Sequence, residues 1–150
     1  MTHPTPSAAE SRDLVFSVSR TFDALPEQVF DAFLRPERLA RWWGPAGFSN
    51  LFHSFDFREG GTWSFTMRGP DGTHYPNRCR FLEIVPGCRL QIEHVSSPRF
   101  VLAVTLTPVE RRTRLEWKQR FHTQAEYDAV KAFVPEANEQ NLDRLAAELG

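Results

Sequence analysis

From residue 48 to residue 121 the chain runs as six stretches of strand-like alternation, and the breaks between them are short and rich in turn formers. The stretches cover 48–57, 62–68, 74–85, 89–95, 99–107 and 112–121, and period-2 alternation of this kind marks strands with one buried face. The breaks contain Glu59-Gly60-Gly61, Gly69-Pro70-Asp71-Gly72, Pro86-Gly87, Ser96-Ser97-Pro98 and Glu110-Arg111, each placed where the chain must reverse. Each strand can therefore pair with the one before it, and the result is an antiparallel meander that must bury one face. Only one long amphipathic segment is available to cover that face, at the C-terminal end.

The remaining elements follow from local patterns. Residues 14–22 alternate, with Leu14, Phe16 and Val18 on one face and Val15, Ser17 and Ser19 on the other, which predicts a first strand. Pro26 suits a first helical position, Val29, Phe30 and Phe33 form a stripe behind it, and Pro36 ends that helix and begins a second short one through Trp42-Trp43. The last strand is the cleanest: Leu115, Trp117, Gln119 and Phe121 share one face, and Arg112, Arg114, Glu116, Lys118 and Arg120 the other. A final helix is expected from about Thr123, a plausible N-cap with Glu126 three residues on, to Leu149. Its stripe is Tyr127, Val130, Val134, Asn138, Leu142, Leu145 and Leu149, and Pro135 requires either a kink or a break and restart. The expected class is α+β, a seven-stranded curved antiparallel sheet around a long C-terminal helix, with two short helices between strands 1 and 2. The segment 41–72 holds three of the four tryptophans and six of the eight glycines, which suits twisted strands wrapped around something apolar.

Composition narrows the function classes. A net charge of −1 over 150 residues gives no reason to invoke nucleic acid or an anionic membrane surface. Sixteen arginines against two lysines, Lys118 and Lys131, are explained more cheaply by codon usage than by an arginine-lined site. Cys79 sits well up its strand while Cys88 lies beside the Pro86-Gly87 turn, so the two are expected to remain free thiols in a reducing cytoplasm. Residues 1–13 lack an apolar core and a basic start, and are expected to be a disordered lead-in rather than a signal or anchor, with 14–150 a single domain. No apolar run is long enough to span a bilayer. His53, His74 and His94 form no pair with metal-ligand spacing, so no metal and no cofactor is expected. Nor is there a Gly-x-Ser-x-Gly, a phosphate loop, a dinucleotide fingerprint or a Cys-x-x-Cys.

Several segments together resemble one bacterial family. Arg20-Thr21-Phe22-Asp23, Val29-Phe30-Asp31-Ala32-Phe33, Pro36-Glu37-Arg38-Leu39, Trp42-Trp43-Gly44-Pro45, 55–63 with its Gly60-Gly61-Thr62-Trp63, and Met67-Arg68-Gly69-Pro70-Asp71-Gly72 match, in order and spacing, the family named after activators of the heat-shock protein 90 ATPase. That family is part of the START and birch-pollen-allergen (SRPBCC) superfamily, and the resemblance spans nearly the whole chain from Val15 to Leu149. It implies a START-like helix-grip fold with a cavity, but no single activity. Members often carry Gly-Trp shortly before the Leu-Asp-Arg-Leu of the last helix. Here Ala137-Asn138 precede Leu142-Asp143-Arg144-Leu145, so an amide replaces a large aromatic.

The candidate site residues follow from this arrangement. Trp63, Phe65 and Met67, with Tyr75, Phe81, Trp117 and Phe121, can line a cavity or fill a core, and Val134 and Asn138 face them from the helix. Trp42 and Trp43 cannot both point inward; Trp43 is placed among the candidate site residues, and which of the two faces the cavity stays open. Glu83 shares the alternation of Tyr75 and Phe81, so it is expected either to be a buried carboxylate of raised pKa or to pair with Arg20, which interrupts the apolar phase of the first strand. The leading expectation is a cofactor-free binder of a small hydrophobic or amphipathic molecule, with Asn138, Tyr75 and His94 offering hydrogen bonds. A cyclase- or hydrolase-like enzyme using Glu83 is the second reading. A co-chaperone-like interaction module, suggested by the family name alone, is the third. Whether the chain acts alone or as a homodimer stays open.

Overall fold

The computed structural model describes residues 14–150, so the expected disordered lead-in at 1–13 lies outside the described residues. Strand β1 (Val15–Phe22) is followed by helices α1 (Pro26–Leu34) and α2 (Pro36–Trp42). Six strands come next: β2 (Ser49–Phe55), β3 (Thr62–Arg68), β4 (His74–Val85), β5 (Arg89–His94), β6 (Phe100–Val109) and β7 (Arg112–Phe121). Helices α3 (Gln124–Val130) and α4 (Val134–Leu149) close the chain. The sheet is antiparallel throughout, in the order β1-β7-β6-β5-β4-β3-β2. The meander accounts for every pairing but one, since β1 closes onto β7, with Val18 opposite Trp117. This is the expected α+β helix-grip architecture.

Two positions show how local chemistry sets the frame. Gly61 ends the β2–β3 connection so close to the Asp56 carbonyl that a Cβ there would collide with it. Between α3 and α4 the chain breaks and restarts, because Pro135 has no amide hydrogen and is tolerated only in the first turn of α4. Thr123 caps α3, its Oγ1 accepting from the Glu126 amide at 3.1 Å while its hydroxyl donates to the Glu126 carboxylate at 2.9 Å.

The sheet's concave face holds the core. Trp42, Trp63, Phe33, Phe65, Phe81, Leu90, Leu102, Leu115, Leu142 and Leu145 are all fully buried. Helix α4 packs against α1, α2 and β1. Polar ties reinforce that packing: Arg20 reaches Glu139 at 2.6 Å and Asp143 at 2.7 Å, and Glu148 takes Arg38 at 2.9 Å and Arg41 at 2.7 Å. A second, smaller cluster of Phe121, Val130 and Val134, with Phe16, Phe100 and Tyr127 against it, lies under the α3–α4 corner. Cys79 is buried and Cys88 exposed, and neither is in a disulfide. No described helix is long and apolar enough to cross a membrane.

Two expectations about charge are corrected here. Glu83 does not face inward: β4 bulges at Leu82, so that Phe81 opposes Ile92 and Glu83 opposes Gln91, and the extra residue reverses the alternation. Its carboxylate lies on the outer face, accepting from Arg89 at 2.7 Å and Gln91 at 2.9 Å. The Arg89 and Gln91 hydrogen bonds hold its pKa below the ordinary carboxylate value, the opposite of a raised acid. The expected Arg20–Glu83 pair is likewise replaced by Arg20 with Glu139 and Asp143 on α4, because Arg20 shares the inward phase of Val18 and Phe22 and reaches the helix lying over them.

Candidate functional site

A cleft of about 860 Å³ opens between the concave sheet and the N-terminal half of α4, where the main core gives way to the smaller cluster. Its floor comes from inward-facing positions of five consecutive strands: Phe65 and Met67 on β3, Tyr75, Asn77 and Cys79 on β4, Ile92 and His94 on β5, Phe100 and Leu102 on β6, and Trp117, Gln119 and Phe121 on β7. Val130, Phe133, Val134, Ala137, Asn138 and Asn141 form the roof, and Trp43, Gly44, Pro45 and Phe48 the near lip. The period of two on the floor and of three to four on the roof is the geometry that placed these side chains face to face.

The near lip is pinned to α4 by polar side chains. Asn141 accepts from the Gly44 amide at 3.2 Å and donates to the Trp42 carbonyl at 2.8 Å. Arg144 donates to the carbonyls of Arg41, Trp43, Gly44 and Pro45 at 2.7 to 3.1 Å. Its guanidinium has no carboxylate partner among the described residues, and burial lowers its pKa from the usual arginine value. Gly44, at φ +97°, makes the left-handed step that lets the chain leave α2 with its amide aimed at Asn141. As a result Trp42 turns into the core, its Nε1 donating to the Ala32 carbonyl at 3.0 Å, while Trp43 faces the cleft and packs on Trp63 and Trp117 with ring centroids 5.1 and 5.7 Å away.

Several polar side chains lie inside. The Asn138 Nδ2 donates to Gln119 Oε1 at 3.0 Å, both residues being buried. His94 stacks on Phe100 at 4.7 Å, with Nδ1 2.8 Å from the Pro98 carbonyl and Nε2 2.6 Å from Asn77 Oδ1. Two facing acceptors favour the charged ring, but burial is the larger influence and takes the His94 pKa below the ordinary histidine value. Trp117 Nε1 is buried without an acceptor among the described residues. Burial also pushes the Cys79 thiol up to about 12, which makes it inert as a nucleophile.

Of the residues expected to form the site, Trp43, Phe65, Met67, Tyr75, His94, Trp117, Phe121, Val134 and Asn138 are brought together around the cleft. Trp63 and Phe81 are not: they stack parallel within the closed aromatic core beside Phe55, 6.1 Å apart by ring centroid. Glu83 lies on the far side of the sheet, so the acid–base arrangement built on it is not assembled. His94 is in the wall, yet both its ring nitrogens are already engaged. The residues missed were Gln119, Asn141 and Arg144. The signal for Gln119 was its place as the one amide on the inward face of β7; Asn141 lies one turn from Asn138, on the same side of α4. Among the described residues no group of three or more His, Cys, Asp or Glu could hold a metal ion.

Comparison with known proteins gives a consistent frame. The family model for Activator of Hsp90 ATPase homolog 1-like protein matches residues 23–150. A solution structure of a protein from Arthrobacter aurescens is 26% identical with a TM-score of 0.86, covering 93% of this chain and 87% of that one. Crystal structures of proteins from Chromobacterium violaceum (27% identical, TM-score 0.78, 91% and 97% covered) and Rhodobacter sphaeroides (26% identical, TM-score 0.80, 91% of each covered) share the same fold. No curated protein matches the sequence.

Proposed function

The chain belongs to the family of Activator of Hsp90 ATPase homolog 1-like proteins, and from that premise we propose that it holds a small hydrophobic or amphipathic molecule between its sheet and α4. The observation that carries this reading is the cleft itself, about 860 Å³ of space walled by Trp43, Phe65, Met67, Leu102, Trp117 and Phe121. Clefts of about 300–1,000 Å³ with apolar walls and a few convergent polar groups are the usual form of small-molecule sites. The fold supports the reading, since SRPBCC-like folds commonly bind hydrophobic ligands. Binding needs no cofactor, and the free Cys79 and Cys88 suit a reducing, cytoplasmic setting.

The test is native mass spectrometry of the freshly purified chain, followed by tryptophan fluorescence against fatty acids, flavonoids and polyketide-like aromatics, with Trp43 and Trp117 as reporters in the wall. A co-purified mass or saturable quenching, lost in Asn138→Trp, is the expected result. A chain that carries no bound mass and gives no saturable response to the panel contradicts the proposal.

A further inference from the structure

The polar equipment of the cleft restricts what its occupant can be. Among the described residues no arginine or lysine lines it, and its ionisable carboxylate, Glu136, and His74 are both exposed. The His94 imidazole, the one basic group deep in the wall, has both nitrogens occupied by Pro98 and Asn77. A buried carboxylate or phosphate would thus have no cation to pair with, and unpaired buried charge is strongly unfavourable.

What the cleft does offer is an amide pair. Gln119 is 9% exposed and Asn138 8%, and a single bond joins them, from Asn138 Nδ2 to Gln119 Oε1. Their other ends, Gln119 Nε2 and Asn138 Oδ1, make no hydrogen bond among the described residues. Trp117, two residues before Gln119 on the same face of β7, adds a buried Nε1–H that also lacks an acceptor among them. The wall therefore presents one unused N–H donor group, Gln119 Nε2, beside one unused carbonyl, Asn138 Oδ1, both neutral, while the Trp117 Nε1–H is sealed beneath the surface. An occupant that covers these two ends without hydrogen-bonding to them loses free energy, so they select one that completes them.

Resting on the reading of the cleft as a binding site, we infer that Gln119 and Asn138 form a head-group subsite for an uncharged ligand that carries a hydrogen-bond acceptor beside a donor, as a carboxamide or lactam does, and that the site discriminates against carboxylates. The acceptor takes the Gln119 Nε2–H and the donor meets Asn138 Oδ1, while the apolar remainder lies toward Phe65, Met67 and Leu102.

The experiment compares three probes of one shape, 2-naphthamide, 2-naphthoate and 2-methylnaphthalene, by calorimetric titration at pH 7.5 against the wild-type chain and the Gln119→Leu and Asn138→Leu variants. Side-chain amide signals are followed by ¹⁵N NMR. The amide is expected to bind at least about tenfold tighter than the carboxylate, a difference set by the pairing of buried polar groups, and to shift the Gln119 and Asn138 NH₂ resonances. In each leucine variant the amide loses affinity relative to 2-methylnaphthalene, which still binds and so also shows that the variant is folded. A naphthoate affinity equal to that of the amide, or an amide affinity relative to 2-methylnaphthalene that is unchanged in both variants, overturns the inference and leaves the cleft reading standing. Failure of all three probes, 2-methylnaphthalene included, removes the cleft reading and the inference with it.

Discussion

Along α4, Leu142 and Leu145 are wholly buried in the main core, whereas one to three turns upstream Val134 and Asn138 stand over open space. Both halves belong to one uninterrupted helix above one concave face. The C-terminal half is flanked by α1 and α2, which fill the sheet's closed end with Phe30, Phe33, Leu39 and Trp42. Among the described residues no such pair of helices flanks the N-terminal half. There the chain supplies the short α3, a proline-imposed restart and the amide of Asn138. One end therefore contributes stability and the other, on the proposed reading, is left free to accept a guest.

Substitutions at matched positions test this contrast. Leu142→Ala opens a cavity in a closed core and is expected to cost about 2–5 kcal/mol, measured by urea denaturation. Val134→Ala removes apolar area already beside empty space and is expected to cost only about 1 kcal/mol. Equal losses at both positions would mean that the two halves are equally packed. Arg144→Met strips the guanidinium from four carbonyls and is expected to cost about 2 kcal/mol, with faster amide hydrogen exchange at Gly44 and Ala46 as the sign that the near lip has been released. Unchanged exchange there would remove Arg144 from its positioning role. Asn138→Leu is expected to shift stability by less than about 1 kcal/mol, because one amide bond is lost while apolar contact is gained.

The smallest effect concerns the α3 corner. The Arg99 guanidinium and backbone N–H, with the Thr123 hydroxyl, hold the Glu126 carboxyl down to about 2. A carboxylate with its pKa depressed on folding adds stability above its unfolded value, 4.5, and that contribution is lost as the pH falls through the folded value. The stability gap between wild type and Glu126→Gln should thus be constant above about pH 5 and close between 4.5 and about 2. A gap that does not depend on pH would leave the charge with no part in it.

The contrast also marks what could be read from the sequence. The seven strands, their turns and the inward phase of Trp117, Gln119 and Phe121 were legible, because alternation and turn chemistry are local. Pro135 announced a disturbance of the last helix but did not say whether it would bend or break. Glu83 was misplaced because the bulge at Leu82 leaves no mark in the alternation, and a single extra residue reverses every side chain after it. Trp63 and Phe81 read as inward-facing, with cavity and core as alternatives, and they fill the core. Periodicity states which side of a sheet a residue occupies, and not whether the helix above it is close or distant. Gln119 was overlooked as a site residue because an amide among apolar neighbours shows its meaning only beside its partner, Asn138, 19 positions away.

The most direct test of a cleft confined to the N-terminal half of α4 is a two-dimensional NMR titration of the chain with 2-methylnaphthalene, mapping saturable shifts onto side chains. The account predicts perturbation at the Met67, Leu102 and Val134 methyls and the Asn138 amide, with Leu145 and the outer-face Leu51 unmoved. Saturable shifts centred on Leu51 and Val85, or no saturable shifts at all, would contradict it.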